Sequence, residues 1–236
     1  MPKGGHCHMI LAAAGAGARM GLPVPKQFAN LGGKPVWAYV YETCRSCGAV
    51  QSATLVVPEG YEDECRVALA RAGDAGFCRV VTGGASRAAS VRKALAVLPS
   101  DLDIVLVQDA ARPFVTAAQI EAVAQAAMKH GAAVLAVPVK DTVKTVGADG
   151  HIDGTPAREA LYLAQTPQGF RRALLTEAYE QAACEGYEGT DDASYVERLG
   201  IRPVIVPGDY RNLKLTTAED MTTAAFWLQD SETLRH

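Results

Sequence analysis

Arg19 and Lys26 stand seven residues apart in the run AAGAGARMGLPVPKQF, Ala13 to Phe28, with no carboxylate between them. Pro23 and Pro25 stiffen the link, because each ring fixes its own φ. Two cations tethered behind a glycine-rich turn suit a polyphosphate, whose developing charge at phosphorus and leaving group they can offset. Gly15 and Gly17 allow close approach of the backbone, and inward-turned N–H groups can face phosphate oxygens. Solvated surface charge is the competing account of the two side chains. Other phosphate motifs fit less well. Met20 stands where GxGxxG needs its third glycine, and no acidic residue ends the second strand to take a ribose. In Gly32-Gly33-Lys34-Pro35 a proline replaces the helix-opening Ser or Thr of a P-loop.

Such a turn needs a strand before it and a sheet around it. Apolar runs predict strands at His8–Ala13, Ala53–Val57, Cys78–Val81, Ile104–Val107, Ala133–Val137 and Ile201–Val206. They are continuous rather than alternating, which predicts a sheet covered on both faces. Helical stretches lie between them. Thr116 and Gln119 form a capping box before Ile120, Val123, Ala124 and Ala127, and Gly131 ends that helix. Ser86 caps another, in which Val91, Ala94, Leu95 and Leu98 recur at helical spacing before Pro99. Pro35 suits a first helical position, with Gly48 at the end of that helix. This alternation predicts an α/β fold with a doubly wound, mainly parallel sheet. Residues 139–158 break the rhythm: Val139 to Val146, then Asp149-Gly150, then His151 to Gly154 read as a polar β-hairpin. An isolated two-stranded arm is marginal in water, so it is expected to pack on a second copy of the chain.

Composition sets the outer bounds. With 236 residues, 49% hydrophobic and 21% charged, the chain is expected to form one globular domain, 1–236, carrying the arm. A formal charge of −3 gives no global basic field, so nucleic acid is not an expected partner. The six cysteines are too scattered for a disulfide framework, and Cys44-Arg-Ser-Cys47 lacks the second pair that a zinc site needs. They read as packing thiols in a reducing cytoplasm. His6 and His8, flanking Cys7, read as a surface tail that could take metal ions opportunistically. Lys3 and MILAAAGAGA loosely resemble a signal peptide but read better as a buried strand entering a phosphate loop. No apolar run is long enough to span a membrane.

The glycine loop with PKQF resembles the signature of sugar- and polyol-phosphate nucleotidyltransferases. Later runs narrow the resemblance: GGASRAASV (Gly83–Val91), QDAARP (Gln108–Pro113), PVKDTVK (Pro138–Lys144), QTPQGF (Gln165–Phe170), TDDAS (Thr190–Ser194) and NLKLT (Asn212–Thr216). Together, in order over nearly the whole chain, they resemble the 2-C-methyl-D-erythritol 4-phosphate cytidylyltransferases of non-mevalonate isoprenoid synthesis. Gln108 departs from the His more usual there, while Asp109 and Arg112 are intact.

That resemblance implies a Rossmann-like fold and attack of a phosphomonoester oxygen on the α-phosphorus of CTP, with release of pyrophosphate. A phosphomonoester is already mostly dianionic at neutral pH, so the obstacle is repulsion between anions rather than lack of a base. The resemblance assigns Arg19 and Lys26 to the triphosphate and transition state, and Lys214 to the substrate phosphate. It assigns Arg158 and Thr142 to the polyol phosphate, donated by the arm across a dimer interface. An ion pair of Arg158 with Asp141 or Asp153 within the arm is the plainer alternative. Cytosine is read by the backbone of Ala13, Ala14 and Gly84 and by the Ser90 hydroxyl, which could instead bond back to its own helical turn. Asp109 faces ribose or polyol hydroxyls or a metal-bound water, and Ala110 packs by the ribose. Arg112 and Thr190 fall on the polyol side, with helix N-capping as a second role for Thr190. Magnesium, held mainly by substrate phosphates, needs no protein carboxylate cage. A ribitol 5-phosphate cytidylyltransferase and a noncatalytic nucleotide-sensing module are the alternatives.

Overall fold

The computed structural model describes residues 6–15, 24–99 and 101–233; Gly17 and Arg19 lie outside them. In chain order the elements are β1 (Cys7–Ala12), a short 3-10 turn (Lys26–Phe28), β2 (Asn30–Leu31), β3 (Lys34–Pro35) and α1 (Val36–Ser46). Then come β4 (Ser52–Val57), α2 (Glu62–Arg71), β5 (Cys78–Thr82), α3 (Arg87–Leu95), β6 (Ile104–Asp109) and α4 (Ala117–His130). The second half holds β7 (Ala132–Pro138), β8 (Thr145–Val146), β9 (Ile152–Gly154), β10 (Tyr162–Arg171), α5 (Arg172–Glu185) and α6 (Asp192–Arg198). The last elements are β11 (Val204–Pro207) and α7 (Ala218–Thr233).

Seven strands form one sheet in the order β11-β7-β10-β6-β1-β4-β5. All neighbours are parallel except β10, which runs antiparallel between β6 and β7. Strand β1 is flanked by β4 and β6, so the chain winds out to one side and then returns to the other. Its carboxyl end is therefore a switch point, where loops diverge and leave a crevice. Register makes the crevice level: Ala12 lies opposite both Val56 and Asp109, and Val57 opposite Thr82.

Helices cover both faces because successive strand residues point to opposite sides. Met9 and Leu11 pack with Trp37, Val40 and Cys44 of α1 and Ile120 and Val123 of α4. Ile10, Val105 and Val107 pack on the other face with Val91 of α3, Leu175 and Tyr179 of α5, and Val196 of α6. Among the described residues no helix is long and apolar enough to cross a membrane.

The helix ends follow local chemistry. Ser86 accepts from the Ala89 N–H, and Thr116 and Gln119 complete a reciprocal capping box. Pro35 is the N-cap of α1 rather than its first helical residue, since its ψ of 147° is still extended. The last sheet strand begins at Val204, three residues later than the apolar run suggests, after Pro203, which has no N–H to give a ladder. His8 is not in a surface tail. It lies buried within β1, its ring nitrogens 2.7 Å from Ser52 Oγ and 2.9 Å from Thr54 Oγ1. His6 is exposed, 3.4 Å from Asp101. All six cysteines are free, and Cys7, Cys44, Cys47 and Cys65 are buried in the core.

The hairpin is present but short. Strands β8 and β9 pair antiparallel, and the turn between them has Gly150 at φ 82°, the left-handed region. Its base is firmer than its tip. Strands β7 and β10 pair up to Pro138 and Tyr162, Val139 N–H donates to Leu161 O, and the Lys140 ammonium sits 3.4 Å over the Tyr210 ring.

Candidate active site

The crevice at the carboxyl edge is a cavity of about 330 Å³, and each of its walls comes from a different loop. Ala12 ends β1, and Ala14 and Gly15 follow it; Lys26 and Gln27 come from the short turn; Gly84 to Ser86 come from the β5–α3 turn, and Arg87 and Ser90 from the start of α3; Asp109 ends β6, and Ala111 follows it. Lys214, from the loop after β11, completes the lining. A groove of about 760 Å³ between α3 and α5 is larger, but its lining is mostly apolar and lacks a converging set of charges. Chemistry favours the smaller cavity.

Two glycines are required by crowding. A Cβ on Gly83 would stand 2.3 Å from the Ala14 Cβ, and one on Gly84 would stand 2.5 Å from the Ala89 Cβ. Neither position tolerates a side chain without moving the loop after β1 or the start of α3. The Ser90 hydroxyl donates to Ser86 O at 2.9 Å and accepts from Gly84 N–H at 3.0 Å. It thus bonds back to its own turn and fixes the glycine loop from inside the cavity wall. On the other side, Gln27 is buried and donates to both Ala13 O and Gly15 O, the latter at 2.7 Å. The side chain beside Lys26 therefore fastens the lysine turn to the first glycine loop.

Asp109 is the one carboxylate among the described residues of the cavity lining, and three cations surround it. Lys214 Nζ is 2.8 Å from Oδ2, Arg112 Nε is 3.7 Å from the same oxygen, and Arg87 Nε is 3.6 Å from Oδ1. Burial by itself pushes the Asp109 carboxyl up, but Lys214, Arg87 and Arg112 outweigh it and hold its pKa down to about 2. The group is an anion throughout the physiological range. Behind it, Arg87 Nη2 donates at 2.5 Å to Asp192, which is fully buried and accepts from the Tyr179 hydroxyl at 2.6 Å. Lys214 is held by its loop. Arg112 Nη1 donates to Asn212 O at 2.7 Å, Asn212 Nδ2 donates to Thr166 O at 2.9 Å, and Leu215 N–H donates to Ala111 O at 2.8 Å. Thr166 Oγ1 in turn accepts from the Asp109 N–H at 3.0 Å.

Among the residues singled out from sequence, Lys26, Lys214, Ala14, Gly15, Gly84, Ser90 and Asp109 meet in this cavity. Ala13 does not line it: its N–H donates to Val56 O at 2.8 Å and its carbonyl accepts from Gln27. Ala110 is fully buried, and Ala111 lines the wall instead. Arg112 is buried behind Asp109. Thr142 and Arg158 are exposed on the arm, where Arg158 donates to Lys140 O at 3.0 Å rather than pairing with Asp141 or Asp153. Thr190 is exposed and does not cap α6; Asp191 does, accepting from Ser194 N–H at 3.0 Å. Sequence reasoning passed over Gln27, Arg87 and Asp192. Each lies inside a run already singled out, PKQF, GGASRAASV or TDDAS; Arg87 and Asp192 are partners 105 residues apart, while Gln27 binds carbonyls of the glycine loop that precedes it. Among the described residues no three His, Cys, Asp or Glu side chains are grouped to hold a metal ion.

Most of the chain has matches among known proteins. A family model described as 2-C-methyl-D-erythritol 4-phosphate cytidylyltransferase matches residues 7–230. A relative of that name from Pelotomaculum thermopropionicum is 46% identical over 217 residues, 91% of each chain. The crystal structure of 4-diphosphocytidyl-2C-methyl-D-erythritol synthase from Anaerococcus prevotii aligns with a TM-score of 0.87 at 31% identity, over 96% of this chain and 97% of that one. The 2-C-methyl-D-erythritol 4-phosphate cytidylyltransferase of Thermus thermophilus gives 0.77 at 32% identity, over 94% and 98%.

Proposed function

The chain belongs to the 2-C-methyl-D-erythritol 4-phosphate cytidylyltransferase family, and on that premise we propose how its site transfers a cytidylyl group from CTP to 2-C-methyl-D-erythritol 4-phosphate. The products are the CDP-polyol and pyrophosphate. One observation carries the residue assignment: Lys26 and Lys214, far apart in the chain, line a single cavity, in which Lys214 is paired with Asp109. Lys26 sits beside the glycine loop and takes the triphosphate, together with Arg19. Lys214 takes the incoming phosphate. As the dianionic oxygen closes on the α-phosphorus, negative charge spreads over the phosphoryl oxygens and the departing pyrophosphate, and fixed cations stabilise that state more than the separated anions. No general base is required, because the nucleophile arrives deprotonated.

Backbone groups of Ala14, Gly15 and Gly84 lie on the face that takes the base and ribose, close enough because Gly83 and Gly84 leave no side-chain bulk. Arg112 and Thr190 remain assigned to the polyol side, Arg112 acting from behind Asp109 through its hold on the Lys214 loop. Magnesium supplies further charge neutralisation when bound. A cavity with one carboxylate, already ion-paired, fits an ion held mainly by phosphate oxygens.

Arg158 and Thr142 complete the polyol site from a partner's arm, in a cytoplasmic homodimer. Support comes from the arm's surface, where Val146 is 57% and Ile152 63% exposed, and from Tyr162 and Leu163, likewise exposed at its base. Such apolar groups on a two-stranded arm are poorly accommodated in water.

Pyrophosphate release measured with CTP, ATP, GTP and UTP, each against methylerythritol phosphate and ribitol 5-phosphate, tests the reading. Turnover is expected for CTP with methylerythritol phosphate and is expected to stop when EDTA removes magnesium. Preferred use of ribitol phosphate, or tight CTP binding without product, would reject it.

A further inference from the structure

Asp192 is an unusual carboxylate: it is wholly buried, on the first turn of α6, and it is not the residue that caps that helix. A buried charge is retained only where it is paired and hydrogen-bonded. Both of its oxygens are engaged, Oδ1 by the Tyr179 hydroxyl at 2.6 Å and Oδ2 by Arg87 Nη2 at 2.5 Å. Arg87 lines the cavity and turns its Nε toward Asp109 Oδ1 at 3.6 Å, while Lys214 occupies Oδ2 at 2.8 Å. Burial works against the Arg87 charge, and Asp192 and Asp109 together outweigh it. One guanidinium thus bridges two carboxylates, one belonging to the site and one to the core behind it.

We propose that Asp192 is a positioning residue for the reaction, acting through Arg87. With Asp192 held by Tyr179, Nη2 is fixed, so the neighbouring Nε stops short of Asp109 at 3.6 Å and does not close on it. Asp109 then keeps Oδ2 turned to Lys214, and Lys214 stands where it can receive a phosphate. Without the Asp192 charge, Arg87 has a single carboxylate left to satisfy it. It collapses onto Asp109, leaves the cavity wall and disturbs the Lys214 contact. The planar fork of Arg suits this bridging role, since its several rigidly placed N–H donors can serve two carboxylates at once. The proposal rests on the cytidylyl-transfer reading for its kinetic consequence but not for its geometric one.

The test is a double-mutant cycle between Asp192 and Arg87, with Tyr179→Phe as a milder probe on the far side of Asp192. Asp192→Asn keeps shape but removes the charge and turns one of the two accepting oxygens into a donor. It is expected to lower kcat by roughly 10- to 100-fold, as for a small misplacement of catalytic groups, with the KM for CTP changed by less than about 3-fold. In an Arg87→Met background the same substitution should change kcat by less than about 2-fold, because its route of action is gone. Tyr179→Phe should lower kcat by about 2- to 5-fold in the wild-type background only. Equal costs of Asp192→Asn in both backgrounds would assign it a purely structural role and overturn the proposal. So would unchanged kcat in both Asp192→Asn and Tyr179→Phe. Tyr179→Phe decides the matter if Asp192→Asn does not fold. A readout independent of turnover is the ¹⁵N-arginine NMR spectrum. The intact protein should show a restricted, slowly exchanging Arg87 guanidinium, identified by its loss in Arg87→Met and broadened or shifted in Tyr179→Phe. If the intact chain transfers no cytidylyl group, the functional reading fails while this spectrum still tests the anchoring. A mobile Arg87 in the intact protein would refute it.

Discussion

Lys26 and Lys214 are separated by most of the chain yet line one cavity, and their value depends on what else is charged there. Asp109 offsets part of the positive charge but cannot absorb three cations, so the cavity stays attractive to phosphates. Lys26→Ala and Lys214→Ala are each expected to lower kcat/KM by about 10²–10³, as for loss of one preorganised charge donor. Lys26 is half-buried in a short turn, so Lys26→Ala should unfold near the parent's denaturant concentration, whereas Lys214→Ala, which strips the nearest counter-charge from the buried Asp109, should unfold somewhat earlier. Steady-state kinetics beside urea titrations would check this, and undiminished turnover in either variant would remove that lysine from the charge clamp. Lys26 was legible because a cation following a glycine turn stands out in the sequence, and Lys214 only through the resemblance carried by NLKLT. Their supports were not. Asp192 lies 105 residues beyond Arg87, and Gln27 is an ordinary amide until the two loop carbonyls that it binds are seen. Sequence spacing reports on neighbours along the chain, whereas these contacts are made by the sheet.

At the scale of elements, the parallel strands and two capped helices could be read because each carries a local signal: an apolar run, or a Ser or Thr at the right offset. Strand β10 could not. Its central QTPQ is polar and contains Pro167, features that argue against a sheet interior. The ladder to β7 breaks between Ala164 and Gln168, and the polar groups released there are used by other loops. Gln165 donates to Asp209 O at 2.8 Å, and Gln168 donates to Asp191 at 2.8 Å and accepts from Ala193 N–H at 2.9 Å. An irregularity beside a site commonly re-aims side chains in this way. Strand β1 holds the opposite case, a polar residue buried in a regular strand. Burial first, and Arg79 second, lower the His8 pKa to about 4, so the ring is neutral in the folded protein. The unfolded chain binds that proton near pH 6.5, so acidification between these values favours unfolding. The contribution is fully present above about pH 6.5 and is lost as pH falls toward 4, amounting to roughly 2–3 kcal/mol by pH 4.5. Urea denaturation of the parent and of His8→Gln at pH 7 and pH 4.5 should show the smaller acid loss in the variant. Equal losses would mean that His8 does not drive the acid sensitivity of the sheet.

For the whole molecule, the decisive question is where the arm goes. Its base is fastened to the sheet by the β7–β10 ladder, by Arg158 on Lys140 O and by Lys140 over Tyr210, so its direction is set by the body of the domain. Its tip has only the short β8–β9 pairing and exposes Val146 and Ile152. Arg158, at the arm's base, is exposed and takes no part in the cavity lined by Lys26 and Lys214 of the same chain. If each arm serves the partner's cavity, every active site draws Lys214 from one subunit and Arg158 from the other. Lys214→Ala and Arg158→Ala homodimers should then both be nearly inactive. Unfolding and refolding them together at equal amounts should give mixed dimers in about half the population, each with one doubly damaged site and one intact site. Activity should return to about a quarter of the parent's, with the KM for both substrates unchanged, since the restored sites are complete. Were Arg158 to act within its own chain, every site in the mixture would carry one lesion, and refolding the two proteins together would restore nothing.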